Sequence, residues 1–243
     1  MAEVVTLLRM QYRMNEEIMR FSSDWFYGNL VESAPEVKFR SILDLDVPME
    51  WVPTKPTPNP SRTGGESEYS SGENYREEAY NLPSRSGGVG GGSQVGGGFD
   101  GFGGYLNKPE AELTLQTLQQ YFERIGKTRI LNERLDVGVI SPYRAQVQYL
   151  RSQLKKKEWF KPFRHLITVN TVDGFQGQER DIIVISLVRS NDEGQIGFLR
   201  DLRRMNVAIT RARMKLIIIG DVQTMTRHPF YRKLYEYIEA LVS

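Results

Sequence analysis

Four apolar runs punctuate the second half of the chain: LDVGVI (135–140), HLITVNTV (165–172), DIIVISLV (181–188) and KLIIIGD (215–221). Short runs with little polar alternation fit strands covered on both faces. Between them the apolar spacing widens to three and four. From Pro109 the text EAELTLQTLQQYFERIG places apolar residues at 111, 115, 118, 122 and 125, one stripe of an amphipathic helix. YRAQVQYLRSQLKKK and RDLRRMNVAITRAR read as two more helices. At the front, VVTLL (4–8) is a short buried strand, and Asn15 caps a helix with Glu16 and Glu17 in its first turn that should stop near Gly28. PMEWV (48–52) reads as an edge strand. Strands alternating with helices predict an α/β fold, a parallel sheet with helices on both faces, its reactive edge at the carboxyl ends of the strands.

Between these regular parts the character changes. The stretch from Thr54 to Lys108 is Pro-rich, then Ser-rich, then Gly-rich, and 14 of the chain's 22 glycines lie between 64 and 104. Its apolar content is too low to offset the entropy of ordering it, so it reads as a flexible insertion dividing one domain into 1–53 and 109–243. Its aromatics Phe99, Phe102 and Tyr105 offer a possible contact to single-stranded nucleic acid, against a plain spacer.

Composition narrows the function classes. A formal net charge of +2 neither demands nor excludes nucleic acid. With no cysteine and two distant histidines, His165 and His228, no structural zinc site is expected, and no metal ligand is assigned. No apolar run is long enough to span a membrane, which makes an intracellular protein the expectation, cytoplasmic or nuclear. Gly126-Lys-Thr128 ends like a phosphate-binding loop, but that loop needs a glycine at 121, where Tyr121 stands, and a preceding strand. Gly126 instead follows an amphipathic helix, the place of a left-handed capping glycine. The chain therefore has no phosphate cradle of its own. Its opening looks like the middle of a strand-to-helix unit, as in a piece of a longer chain.

Three segments carry polar residues where a plain core would not. Gln11–Met14 (QYRM) sets an arginine beside a helix start, facing whatever anion that terminus attracts. Val172–Asp181 (VDGFQGQERD) links two apolar strands through two glycines, the amides Gln176 and Gln178, an exposed Phe175, and carboxylates on either side of Arg180. In Arg203–Lys215, helical spacing puts Arg204, Ala208 and Arg211 on one stripe, and the crowded arginines call for a compensating phosphate.

QYRM, PYRAQ (142–146), TVDGFQGQERD and RRMNVAITRAR, in this order, resemble the C-terminal RecA-like domain of superfamily 1B helicases, in the branch of the nonsense-mediated-decay and immunoglobulin-mu-binding helicases. The likeness spans the chain apart from the insertion. It implies a RecA-like fold and an ATP-dependent helicase or translocase travelling 5′ to 3′ on single-stranded DNA or RNA. ATP and Mg²⁺ would be held mainly by a first RecA-like domain of the same parent chain, which carries the Walker A lysine and lies outside this sequence. On that resemblance Tyr12 stacks on adenine, Arg13 and Arg211 are the arginines that approach the γ-phosphate, Glu179 is an ATP-side carboxylate, and Gln176 and Gly177 shape its loop. Ser141, Tyr143, Thr171 and Val172 are similar to positions that meet the strand. GDVQTM (220–225) is loosely similar to a segment of the first domain but follows the last motif, so it reads as a final strand ending in a polar turn. Two other readings stand beside this one: a non-catalytic nucleic-acid or protein interaction module on the same scaffold, and a stand-alone nucleotide hydrolase, the weaker for want of a cradle lysine.

Overall fold

The structure is a computed structural model, and it describes residues 9–56, 61–63, 104–175 and 177–242, with Ser61–Thr63 described in backbone only. In chain order the elements are β1 (Met10–Gln11), α1 (Glu16–Phe26), β2 (Glu32–Ser33), α2 (Pro35–Lys38), β3 (Met49–Pro53), β4 (Ser61–Thr63), β5 (Gly104–Leu106), α3 (Lys108–Ile125) and α4 (Lys127–Glu133). They continue with β6 (Val137–Ile140), α5 (Arg144–Lys156), β7 (Ile167–Asn170), β8 (Arg180–Ser186), α6 (Leu202–Ile209), β9 (Ala212–Gly220), α7 (Val222–Met225) and α8 (Pro229–Val242).

Five of the strands form one sheet in the order β3-β9-β8-β6-β7, every neighbouring pair parallel. The four apolar runs and PMEWV supply these strands, with PMEWV at the edge as expected and its burial mixed. Each central strand is apolar at consecutive positions because its two faces bury different cores. Ile183, Ile185, Leu216 and Ile218 join Ile18 and Phe21 of α1, Ala208 of α6 and Phe230 and Leu234 of α8. Ile182, Val184, Ile217 and Ile219 turn the other way, toward Leu115, Leu118 and Phe122 of α3 and Val147 and Leu150 of α5. Full burial of such a side chain contributes about 1.5–3 kcal/mol, so a helix of either layer is fixed by a handful of contacts.

The helix ends follow local chemistry. The Asn15 side chain accepts from the Glu17 amide and opens α1, and Gly28, at φ 57°, lies just beyond its end. Asn107 opens α3 by accepting from the Glu110 amide. Gly126, at φ 89°, ends α3 as expected of a capping glycine, but it also begins α4, a helix the spacing did not predict. The polar turn after β9 is held by Asp221, whose carboxylate accepts from the Gln223 and Thr224 amides and starts α7.

The proposed strand at 4–8 lies outside the described residues, as do 57–60 and 64–103 of the insertion. Its far end is a correction: residues 104–108 are folded. The β5 strand pairs antiparallel with β4, the Tyr105 ring stacks under the Arg189 guanidinium at 4.2 Å, and the buried Asn107 donates to the Val188 carbonyl.

Candidate nucleotide and strand sites

Residues far apart in sequence meet at the amino edge of the sheet. Gln11 folds the first turn around itself: its side-chain oxygen accepts from the amides of Arg13 and Met14, both at 2.7 Å, and its amide nitrogen donates to the Met14 carbonyl. That turn is pinned to the sheet where the Asn15 amide donates to the Arg213 carbonyl at 2.8 Å. Tyr12 is left at the tip, 68 % exposed, and the Arg13 guanidinium forms an ion pair with Glu179. Glu179 and Arg211 come side by side because the Arg180 amide donates to the Arg211 carbonyl at 2.9 Å, where β8 and β9 begin. Arg211 donates back to the Val207 carbonyl at 3.1 Å. Burial, and then the positive charge of Arg13, hold the Arg211 guanidinium below its ordinary pKa, while Glu179 acts the other way. Two cations thus share one carboxylate, which leaves a positive surplus beside an exposed aromatic ring. A polyphosphate fits this rim.

Its place in the sheet differs from the expectation. The arginine rim lies at the amino ends of β8 and β9, not at carboxyl ends. In a parallel sheet the chain must cross back to the opposite edge before the next strand can start. The loop from Thr171 to Glu179 makes that crossing, so its first residues belong to one edge and its last to the other. Gly177 turns within it at φ 76°, a conformation that L side chains rarely adopt; Gln176 lies outside the described residues. Phe175 is wholly buried rather than exposed, its ring packed near Gly138 and Ile183, and it anchors the crossing.

The four residues assigned to the strand do gather at the carboxyl edge, but not as open contacts. Ser141 and Val172 are buried, and Tyr143 is 5 % exposed, its ring edge-on to Tyr105 at 5.3 Å. Burial pushes the Tyr143 phenol up to about 12. A buried ring is no platform for a base, so Tyr143 does not meet a strand by stacking in this arrangement; Thr171 keeps accessible surface. Beside them lies a cleft of about 110 Å³ lined by Pro142, Arg144, Thr171, Val172, Asp173, Phe198 and Arg204. The Arg204 guanidinium sits 4.4 Å over the Phe198 ring and 3.4 Å from Asp201, with Asp173 at 3.7 Å.

Arg204 therefore corrects the single arginine stripe. Helix α6 stops at Ile209, and it runs from the carboxyl edge to the amino edge, so Arg204 and Arg211 face opposite sides of the sheet. The crowding is also relieved from within, by Asp201 and Asp173 at Arg204 and by Asp136 and Asp181 at Arg213. Arg144 and Phe198 were not singled out as contacts. The PYRAQ motif held the signal for Arg144; Phe198 reaches the cleft from the short 3₁₀ helix Gly197–Arg200, too short to carry a periodic pattern.

A buried polar network behind the cleft was also missed. Glu110 accepts from the Ser186 hydroxyl at 2.6 Å and the Val188 amide at 2.7 Å. Burial pushes its carboxyl up to about 8, against those hydrogen bonds. It thereby holds Val188 at φ 72°, a left-handed conformation that is strained for a β-branched residue. The Asn-x-x-Glu spacing at 107–110 was legible as a helix start, but not the burial of its carboxyl.

A five-stranded parallel sheet with helices packed on both faces, two arginines and a carboxylate at one rim and a cleft at the other, is an α/β fold of the RecA-like kind. Residues 1–223 match the family model AAA_12, described as an AAA domain, and the chain belongs to that family, the C-terminal helicase domain of superfamily 1 helicases. An uncharacterized ATP-dependent helicase of Methanocaldococcus jannaschii is 33 % identical over 246 residues, covering 98 % of this chain and 30 % of that protein. The DNA polymerase alpha-associated DNA helicase A of Saccharomyces cerevisiae is 30 % identical over 239 residues, covering 93 % and 29 %. The regulator of nonsense transcripts 1 homolog of Neurospora crassa is 32 % identical over 229 residues, covering 93 % and 18 %. The chain thus spans about a third or less of the length of these relatives. No helix among the described residues is long and apolar enough to cross a membrane.

Proposed function

We propose that this chain is the C-terminal half of an ATP-dependent helicase or translocase, supplying arginine fingers to an ATP site that a first RecA-like domain of the same parent chain completes. The observation that carries the reading is the meeting of Arg13, Glu179 and Arg211 at one rim, next to the exposed Tyr12. The helicase names of its relatives and the family membership support it.

In this reading the ATP phosphates face the rim, and Tyr12 covers the adenine. Arg13 and Arg211 meet the negative charge that grows on the transferred phosphoryl group, a contribution of about 10³ to 10⁵ in rate for a finger arginine. Glu179 holds Arg13 in place until the anion arrives and keeps the two guanidinium groups from driving each other apart. Mg²⁺, bound by carboxylates of the other domain, supplies charge neutralisation on the phosphates. Single-stranded DNA or RNA lies across the carboxyl edge, its phosphates at Arg144 and Arg204 and its path beside Thr171, with Ser141, Tyr143 and Val172 shaping the wall behind. The setting is intracellular, where ATP is supplied.

The test is ATP turnover of the full-length protein with and without single-stranded nucleic acid, alongside the Arg211→Ala variant. Strand-stimulated turnover is expected, and the variant should bind ATP within a few-fold of the parent while hydrolysis falls by about three orders of magnitude. Near-normal hydrolysis by the variant would remove Arg211 from the chemistry and favour a non-catalytic module.

A further inference from the structure

Beside the arginine rim stands a cluster that the proposed mechanism does not use. Asp136 just before β6, Asp181 in β8 and Arg213 in β9 meet across three adjacent strands of the sheet. The two aspartates are locked face to face: the Asp136 amide donates to the Asp181 carboxylate at 3.1 Å, and the Asp181 amide donates to the Asp136 carboxylate at 3.0 Å. Arg213 closes the cluster, with one guanidinium nitrogen 2.9 Å from Asp136 and another 3.2 Å from Asp181.

As a stabilising device this is a poor choice, because two like charges in contact are balanced by one cation and none of the three is fully buried. Its value lies in where Arg213 stands. It follows the finger Arg211 by two positions, and its backbone carbonyl is the anchor of the Asn15 amide, which fixes the turn bearing Tyr12 and Arg13. The neighbouring Arg180 amide bonds the Arg211 carbonyl from the strand that carries Asp181. The Arg213 backbone thus stands between the turn that bears Arg13 and the position of Arg211.

We propose that Arg213, gripped by Asp136 and Asp181, is a positioning residue that sets the register of Arg13 against Arg211. The proposal rests on the ATPase reading above. It touches no substrate atom and acts through geometry: a displacement of about 1 Å in a catalytic group can cost about a hundredfold in rate. The grip also has a proton dependence. The groups facing each aspartate are its partner aspartate and Arg213. Burial and the shared hydrogen bond to Asp136 push the Asp181 carboxyl up to about 6, while Asp136, hydrogen-bonded to Asp181 and beside Arg213, is held below the usual range. Above pH 6 both carboxylates hold the guanidinium; below it Asp181 takes up a proton and only Asp136 keeps its charge.

The experiment compares the full-length protein with its Arg213→Met, Arg213→Lys and Asp181→Asn variants in strand-stimulated ATP turnover, ATP binding and thermal unfolding. Arg213→Met is expected to lower kcat about tenfold to a hundredfold, with ATP affinity and unfolding midpoint near the parent's, and Arg213→Lys to recover part of the loss. Measured across pH, the ratio of parent to Asp181→Asn turnover should rise from near one below pH 6 to its full value above it, and titration of ATP itself cancels in that ratio. Unchanged kcat in folded Arg213→Met, or a ratio flat with pH, overturns the proposal, as does a loss shared equally by kcat, ATP affinity and unfolding midpoint. If Arg213→Met does not fold, the pH ratio alone decides. Failure of the underlying reading looks different: either the parent shows no strand-stimulated turnover or Arg211→Ala matches it, and the positioning role then falls with the reading.

Discussion

Arg13 and Glu179 form an ion pair across the amino edge of the sheet, and Arg211 is near enough for its own charge to be shifted by both. The pair is more than a third exposed on each side, at 41 % and 38 %, where water screens the attraction and such pairs contribute about 0–1 kcal/mol. Its purpose is placement. Glu179→Gln should leave the denaturant midpoint almost unchanged while ATP turnover drops, because the two guanidinium groups lose the carboxylate between them. A large stability loss with normal turnover would show the pair to be a structural tie.

The buried Glu110 makes the fold sensitive to pH. Its carboxyl titrates near 4.5 when unfolded and at about 8 when folded, so between those values the folded state holds a proton that the unfolded state has lost. Stability from this group therefore declines as pH rises through that window, by about 1.4 kcal/mol per unit. Urea unfolding of the parent and Glu110→Gln at several pH values should show the variant with the flatter slope. Parallel slopes would mean that Glu110 is ionised in the fold.

The cleft predicts a pattern of salt dependence. If Arg144 and Arg204 meet strand phosphates, Arg144→Ala and Arg204→Ala should each weaken binding of single-stranded oligonucleotides evenly across sequences, and reduce the slope of log affinity against log salt by about one. Titrations of the full-length protein at several salt concentrations read this directly. An unchanged slope would place the strand elsewhere.

Phe175 tests the crossing loop. Its ring is fully buried near Gly138 and Ile183, so Phe175→Ala should cost about 3–5 kcal/mol by leaving a cavity. The same contact works in reverse at Gly138, where an added Cβ would lie 2.6 Å from the Ile183 side chain and 2.9 Å from the Phe175 ring. Gly138→Ala should then destabilise by about 1–3 kcal/mol through overpacking. Thermal unfolding of both variants checks the pair.

The sheet was legible because its strands bury both faces, and no reading of the apolar runs 135–140, 165–172, 181–188 and 215–221 leaves them in water. The approach of Arg13 to Arg211 was legible only through motif order, since nothing local in QYRM names a residue just before β9. What periodicity misjudged was the length of α6: a stripe through Arg204, Ala208 and Arg211 assumes the helix continues, but it ends at Ile209 and Arg211 leads into the next strand. The burial of Phe175 and Tyr143 was hidden for a related reason. Both sit in connections, where Gly174 beside Phe175 and Pro142 beside Tyr143 say that the backbone bends but not which way the ring then turns.

Helix α6 begins at the cleft and ends at Ile209, just before Thr210 and Arg211, a rod of about 12 Å at 1.5 Å per residue. A helix this short transmits a tilt rather than absorbing it, and packed interfaces shift between discrete positions rather than yielding smoothly. Arg204 lies within this rod, and Arg211 follows its end by two residues. In this domain, then, the cleft rim and the arginine rim are joined by one solid part.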